Sequence, residues 1–210
     1  MFKDNFGDYT KSLYKSLINL AEDGSIEKLY EHFKESLNSE KEIHIFGNGG
    51  SAANAYHIVG DFTKTLTLFS QSLRISSISD NGCYLSAASN DLDFSEVFSF
   101  LIPKRITPND SIIFLSGSGN SSNLVKCALK AKKYGIKTIA ITGFNGGKLK
   151  QLVDISIHVP VNDMEMAEDS QLIIIHFIKQ QLCEYLKSIG QKESSKIDKY
   201  RKRVLNGEIA

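Results

Sequence analysis

Cysteine, net charge and long apolar segments are all scarce in this chain. There are 3 cysteines among 210 residues and no Cys-x-x-Cys pair, which excludes a disulfide framework and a cysteine metal site and favours reduced thiols used in packing. The formal net charge is +1, so no overall field recruits nucleic acid or an anionic membrane. Neither a signal-peptide core nor an apolar run of about 18 residues is present. We therefore expect a cytoplasmic protein with no membrane partner.

The composition is that of an ordinary globular protein. Hydrophobic residues make up 41% of the chain and charged residues 23%, which argues against extensive disorder. The length suits one domain with a substantial core. We expect a single domain over residues 1–190, with a helical arm over about 1–40, and then a polar, basic tail over residues 191–210.

Hydrophobic periodicity predicts alternating strands and helices. Apolar residues at helical spacing predict two helices, or one long kinked helix, within residues 4–37, interrupted at Asp23-Gly24-Ser25. A last long helix is predicted over residues 165–188. Helical segments separate the predicted strands, which cover residues 43–46, 72–79, 111–115, 137–142 and 153–159. This alternation predicts a parallel sheet with right-handed crossovers and helices on both faces, a three-layer α/β sandwich.

A glycine-rich turn follows the first predicted strand. The turn is Gly47-Asn48-Gly49-Gly50, and Ser51 is the expected N-cap of the next helix. Glycines tolerate positive φ and leave backbone N–H groups free to face an anion at a helix start, although a tight connection without a ligand also explains such a turn. His57 and Asp61, four residues apart on one helix face, favour a functional site.

A serine-rich loop follows the third predicted strand. Its sequence, Ser116-Gly-Ser-Gly-Asn-Ser121, offers hydroxyl and N–H donors to phosphate oxygens but contains no lysine or arginine. It therefore suits an exchangeable monoester such as a sugar phosphate better than a triphosphate; an ordinary Ser/Gly turn is the alternative. In a parallel sheet both loops lie at the carboxyl edge, near the point where strand order reverses.

The motifs together resemble the sugar isomerase (SIS) domain family, and within it the phosphoheptose isomerases. The resemblance runs from the helical arm to about residue 188. The motifs that carry it are Gly47-Asn-Gly-Gly-Ser51, Asn90-Asp91, Ser116-Gly-Ser-Gly-Asn-Ser121, and Thr142-Gly143 with Gly146-Gly147-Lys148. It implies a five-stranded flavodoxin-like sheet and a homotetramer with active sites where subunits meet.

The resemblance also implies a reaction. The family converts sedoheptulose 7-phosphate to D-glycero-D-manno-heptose 7-phosphate through an enediol. Two alternatives stay open: a non-catalytic SIS protein that binds a replication initiator, and a phosphosugar sensor. The implied substrate-binding residues are Asn48, Gly49, Gly50, Ser51, Asn90, Asp91, Ser116, Gly117, Ser118, Ser121 and Glu168. Gly117 replaces a residue that is usually Thr or Ser in the family, so one hydroxyl contact to phosphate is absent.

The family further implies one zinc or similar divalent ion per subunit. Its ligands include a His and a Glu four residues apart on the helix after the glycine turn, and here these positions are His57 and Asp61, a carboxylate shorter by one methylene. Asp61 and His176 are also the expected catalytic residues, because isomerisation needs groups that remove and return a proton.

The second ligand pair, a Gln and a His eight residues apart on the last helix, allows two registers. One register pairs Gln171 with Lys179 and places a cation where an imidazole should bind the metal. The other pairs Glu168 with His176 and restores the imidazole, so we favour it. The predicted metal ligands are then His57, Asp61, Glu168 and His176. A histidine inside an apolar helical run is otherwise often only a hydrogen-bonded core residue.

Overall fold

A computed structural model of the chain describes residues 2–195 and residue 203. Most of the predicted basic tail, residues 196–202 and 204–210, lies outside the described residues. The predicted arm consists of two helices, α1 (Phe2–Ile18) and α2 (Ser25–Glu35). Gly24, at φ 70°, is the N-cap of α2, which explains why the chain changes direction at the predicted break.

The sheet has five parallel strands, as predicted. The strands are β1 (Glu42–Phe46), β2 (Arg74–Ser76), β3 (Ser111–Ser116), β4 (Lys137–Thr142) and β5 (Ile155–His158). Their order across the sheet is β2-β1-β3-β4-β5, and all four pairings are parallel. Every residue of β1 and β3 is buried, which agrees with the continuous apolar runs of a sheet covered on both faces.

Helices cover both faces of the sheet. One face carries α2 with α3 (Gly49–Leu68) and α7 (Met164–Ser188). The other face carries α4 (Gly82–Asp91), α5 (Ser122–Lys133) and α6 (Leu149–Leu152), together with two short 3₁₀ turns at Phe94–Glu96 and Ser99–Leu101. The three-layer α/β architecture predicted from the alternating pattern is therefore confirmed.

Each face has its own apolar core. On the α2, α3 and α7 side the rings of Phe33 and Phe62 stack with centroids 4.8 Å apart. On the opposite side Phe46 and Phe98 stack with centroids 4.6 Å apart. Stacked aromatic pairs add about 0.5–1.5 kcal/mol beyond the burial of their surface. The two cores hold β1 and β3 between rigid layers, so the loops that leave these strands start from fixed positions.

No residue of helix α1 is fully buried, and partly buried Leu17 near its C-terminal end packs against the core on the α2, α3 and α7 side. Helix α1 is joined to α7 by a hydrogen bond from the Tyr9 hydroxyl to Asp169 Oδ2, 2.6 Å, and this bond raises the pKa of Tyr9 to about 12. In the part of the chain that the structure describes, no helix combines the length and apolar character needed to cross a membrane.

Candidate active site

The two predicted ligand loops meet at the carboxyl edge of the sheet. Strand β1 pairs with β2 on one side and β3 on the other, so the strand order reverses between β1 and β3 and opens the crevice where such sheets bind ligands. The Asn48 and Asn123 side chains exchange two amide hydrogen bonds, of 3.0 and 2.9 Å, across this crevice. These bonds hold the glycine turn against the first turn of α5.

The glycine turn differs from the sequence expectation in where the helix begins. Helix α3 starts at Gly49 with Asn48 as its N-cap, so the expectation that Ser51 caps the helix was wrong. Ser51 instead lies in the first turn, where its Oγ is 3.1 Å from the Gln171 amide nitrogen. A Cβ at position 50 would lie 2.1 Å from the Glu168 carboxylate, so any side chain there would displace Glu168 from its present position.

The serine loop is packed as tightly as the glycine turn. A Cβ at Gly117 would lie 2.3 Å from Met164 Sδ, so this methionine fills the space that a Thr or Ser side chain would need. Gly119 adopts φ 65° and lies against Gly146, where a Cβ would come within 2.1 Å of the carbonyl oxygen. The glycines after β4 thus pack directly against the serine loop and support it. Side chains at these positions would prevent that contact.

Both loops line one pocket of about 210 Å³. Among the described residues that line it, Glu168 carries the one ionisable side chain, and the remaining polar groups are hydroxyls, amides and backbone N–H groups. The pocket is lined by Asn48, Gly49, Gly50, Ser51, Leu115, Ser116, Gly117, Ser118, Ser121, Met164 and Glu168. The arrangement can bind an anion through neutral donors and a helix N-terminus.

Two predicted substrate-binding residues are not part of this pocket. Asn90 and Asp91 lie at the C-terminal end of α4, where both are exposed and the Asn90 amide donates to Asp91 Oδ1 at 2.9 Å. Their role in substrate binding stays a prediction.

Beyond the pocket, α3 and α7 are joined by a buried cluster of neutral polar side chains. The Asn54 amide donates to Gln171 Oε1 at 2.9 Å and to the Glu168 carbonyl at 3.0 Å. The Gln171 amide in turn donates to Ser51 Oγ. Gln171 is 1% exposed, and its amide group has a partner at both ends. We call Ser51, Asn54 and Gln171 the amide cluster; it fixes the register of the two helices.

Further along the same helix pair lies a charged cluster, formed by His57, Asp61, His176 and Lys179. The two imidazole Nε2 atoms are 2.9 Å apart, and Asp61 Oδ2 is 3.6 Å from His57 Nε2 and 3.5 Å from His176 Nε2. The Lys179 ammonium donates a short hydrogen bond to the same Asp61 oxygen. Two imidazoles and an ammonium therefore converge on one carboxylate.

The cluster controls the protonation of its own members. Burial opposes ionisation of Asp61, but the hydrogen bond and charge of Lys179 outweigh it, so the Asp61 pKa lies below its ordinary value. Burial and the neighbouring Lys179 ammonium lower the pKa of His176. At neutral pH these shifts favour an ionised Asp61 beside a neutral His176, which is able to accept a proton.

His57, Asp61 and His176 can also hold a metal ion. Each offers one ligand atom, and these atoms lie within 4.8 Å of one another. The fourth predicted ligand, Glu168, is not part of this group: its carboxylate adjoins Gly50 in the pocket. Two imidazoles and a carboxylate are donors that fit a divalent ion such as zinc. Lys179, which the alternative register pairs with Gln171, adds its ammonium group to the same cluster.

Sequence reasoning missed several residues that shape the site. Asn54 and Asn123 lie within three residues of predicted site residues. The sequence, however, does not indicate which side chain a helical asparagine will bond to. The bond of Lys179 to Asp61 depends on how α7 faces α3. The i, i+3 spacing of His176 and Lys179 was the available signal, because residues so spaced share a helix face.

Known proteins share both the sequence and the fold. A model of the SIS domain family matches residues 5–143. A phosphoheptose isomerase of Helicobacter pylori (strain Shi470) is 34% identical over 180 residues, covering 85% of this chain and 92% of that protein. One of Geotalea daltonii (strain DSM 22248 / JCM 15807 / FRC-32) is 32% identical over 161 residues, covering 77% and 82%.

Solved structures give the same assignment. The phosphoheptose isomerase GmhA from Neisseria gonorrhoeae matches with a TM-score of 0.76 and 25% identity, covering 85% of this chain and 96% of that one. A phosphoheptose isomerase from Francisella tularensis has the same fold, with a TM-score of 0.74 at 22% identity over 86% of this chain and 97% of that one. The chain therefore belongs to the SIS domain family, and within it to the phosphoheptose isomerases.

Proposed function

We propose that this protein is an aldose-ketose isomerase that converts sedoheptulose 7-phosphate to D-glycero-D-manno-heptose 7-phosphate. The observation that carries the proposal is the position of the charged cluster relative to the pocket. His57 follows Ser51 by six residues on α3, which is about 9 Å along the helix axis. A heptose 7-phosphate is an elongated ligand that suits this separation, with its phosphate at one end and its carbonyl near the other.

In this proposal the pocket binds the phosphate. Ser116, Ser118 and Ser121 provide hydroxyl groups, and the first turn of α3 provides backbone N–H groups and the positive end of its dipole. Glu168 accepts hydrogen bonds from sugar hydroxyls next to the phosphate. Because no lysine or arginine among the residues that the structure describes lines the pocket, the bound ester is held by geometry more than by charge and can exchange.

Asp61 and His176 carry the proton transfers. Aldose-ketose isomerisation removes a proton from carbon 1 of the ketose, forms an enediol and returns a proton to carbon 2. In the metal-free cluster the neutral imidazole of His176 and the ionised Asp61 are the two groups that can accept a proton, and His57 Nε2 lies within hydrogen-bonding distance of His176. Half of the His57 side chain is exposed, so a sugar can reach this cluster from solvent.

Zinc is the metal that we propose for the three-donor group. His57, Asp61 and His176 would hold it, and the bound ion would polarise the carbonyl and hydroxyl oxygens of the sugar. Imidazole and carboxylate are ligands that zinc takes in catalytic sites with an open position. Glu168 remains a predicted further ligand, for which the charged cluster offers no support within one subunit.

We further propose a cytoplasmic homotetramer with active sites where subunits meet. Helix α1 supports this assembly, because Phe2, Phe6 and Tyr14 are exposed on a helix without a buried residue. A cytoplasmic location agrees with the three free cysteines and with a sugar phosphate as substrate. The comparisons do not favour a replication-initiator-binding or phosphosugar-sensing role, since the curated relatives described above are isomerases.

The test is an isomerase assay on the purified full-length chain. Sedoheptulose 7-phosphate is added with and without zinc, and both heptose phosphates are followed by NMR. We expect the aldose to form until equilibrium, and the variant His176→Ala to form it far more slowly under the same conditions. Binding of the ketose without any conversion, at every metal tested, would reject the enzymatic proposal.

A further inference from the structure

Lys179 places a positive charge inside the donor group to which a metal would bind. Its ammonium hydrogen-bonds to Asp61 Oδ2, and this same oxygen faces both imidazole Nε2 atoms at 3.5 and 3.6 Å. The Asp61 carboxylate is therefore already matched by the Lys179 ammonium without an ion. We infer that Lys179 competes with the metal for Asp61 and so keeps the metal affinity of this site low.

The competition follows from simple electrostatics. A divalent ion bonded to Asp61 would lie a few ångströms from the ammonium, in a partly buried site where charges are screened less than in water. Asp61 and Lys179 are only 24% and 21% exposed, whereas the two imidazoles are 40% and 50% exposed. The pair of opposite charges thus forms the sheltered side of the cluster, and the imidazoles form its open side.

The Lys179 side chain can also move from the site into solvent. Its four-carbon stem is flexible, and an ammonium is strongly hydrated when exposed. A metal can therefore bind once Lys179 leaves Asp61 for solvent, and the lost ion pair weakens the binding. The charges that face Asp61 come from His57 on its own helix and from His176 and Lys179 on α7.

This inference concerns the metal site of the proposed isomerase, but its test needs no substrate. Zinc affinity is measured by calorimetric titration of the metal-stripped full-length protein, without sugar. Lys179→Met removes the charge and keeps the length of the side chain. We expect it to bind zinc about tenfold or more tightly than the original chain, a size typical of groups that contact a metal ligand.

Two control variants separate charge from other effects. Lys179→Arg keeps the positive charge and should bind zinc within about threefold of the original chain. Lys187→Met removes a charge from the same helix, where the lysine pairs with Glu184 at 2.8 Å, and should leave zinc affinity unchanged. Melting temperatures of the metal-free variants show whether each is folded.

A double-mutant cycle then tests whether the effect passes through Asp61. In an Asp61→Asn background, Lys179→Met should no longer strengthen zinc binding, because the carboxylate for which the two cations compete is gone. Equal zinc affinity of Lys179→Met and the original chain, weaker affinity of the variant, or no zinc binding by either would overturn the inference. The isomerase assay can fail while the affinity difference stands, so the two proposals are tested separately.

Discussion

The same pair of helices, α3 and α7, joins two polar clusters with opposite properties. The amide cluster is neutral and buried, and its hydrogen bonds are paired, so it fixes the register of the helices. The charged cluster lies about two turns further along, is open to solvent on its imidazole side, and directs three nitrogen atoms at one Asp61 oxygen. Polar residues on one interface thus divide into a part that positions the helices and a part to which we assign the reaction.

The contrast explains why a glutamine in the expected family register need not be a ligand. Gln171 already has partners on both ends of its amide, and a metal would have to break bonds in a buried site to reach it. Buried amides without partners are unfavourable by about 1–3 kcal/mol each. His176, in contrast, has an accessible imidazole next to a second one. Accessibility distinguishes the charged cluster, to which we assign the chemistry, from the amide cluster.

The largest expected effect is a loss of turnover when the charged cluster is altered. His176→Ala removes a group to which we assign proton transfer, and we expect the turnover number to fall about 10²- to 10⁴-fold with a small change in KM. Steady-state kinetics with sedoheptulose 7-phosphate measure it. Lys187→Ala, an exposed site on the same helix, is the matched control and should retain full activity. Normal turnover of His176→Ala would remove this residue from the mechanism.

A third histidine shows how burial alone changes an imidazole. His32 is bonded to Ser111 at 2.9 Å, and burial, assisted by Lys137, lowers its pKa to about 4. The folded state therefore binds fewer protons than the unfolded state below the ordinary pKa of 6.5. This contribution to stability is complete above that pH and falls by about 2 to 3 kcal/mol as the pH drops towards 4.

Chemical denaturation at a series of pH values measures this loss. His32→Gln offers a polar group to Ser111 without titrating, so its stability should depend less on pH over the same interval. The carboxylates titrate in both proteins and cancel in the comparison; Glu42, for example, has a pKa of about 2 because Arg105 and Ser76 hydrogen-bond to it despite its burial. Identical pH profiles would contradict a neutral, buried His32.

The amide cluster should respond in stability. Gln171→Leu removes one of the two acceptors of the Asn54 amide and the donor to the Ser51 hydroxyl, and we expect the free energy of unfolding to fall by about 1–3 kcal/mol. Denaturant titration measures it. Gln181→Leu makes the same chemical change at an exposed site on α7 and is the control. An unchanged midpoint for Gln171→Leu would mean that the cluster does not hold the helices together.

The smallest expected effect lies in the phosphate pocket. Ser118→Ala removes one hydroxyl, and we expect KM for the phosphorylated sugar to rise about fivefold, as for the loss of about 1 kcal/mol of hydrogen bonding. Turnover should change little, because in the proposed binding mode the loop holds the phosphate and not the reacting carbons. The Ser118 hydroxyl also accepts from the Asn120 N–H at 3.2 Å, so the melting temperature is checked alongside. A fall in turnover with KM unchanged would argue against phosphate binding here.

Most of the fold could be predicted from the sequence because its signals are local. β3 and β4 are apolar runs with buried neighbours on both sides, and both were located to within one residue. β2 is shorter than predicted because an edge strand of mixed polarity pairs only with β1, over three residues from Arg74 to Ser76. The ends of an edge strand depend on tertiary pairing, and this pairing cannot be read from the pattern of residues.

The sequence identified the residues of the candidate site better than it identified the contacts between them. His57 and Asp61 share a helix face, so their proximity follows from spacing. That Lys179 rather than Glu168 joins them depends on the rotation of α7 against α3, which is set by packing and by the amide cluster. The N-cap at Asn48 in place of Ser51 also reflects tertiary structure, because Asn48 is held by Asn123 from another loop.

The most direct test of this account compares two variants in one assay. Asp61→Asn alters the charged cluster, and Gln171→Leu alters the amide cluster two turns away. Rates of aldose formation from sedoheptulose 7-phosphate are divided by the folded fraction of each protein. We predict that Asp61→Asn loses activity about 100-fold or more, whereas Gln171→Leu keeps activity within about tenfold of the original chain. Full activity of Asp61→Asn together with an inactive, folded Gln171→Leu would contradict the assignment of chemistry to the charged cluster.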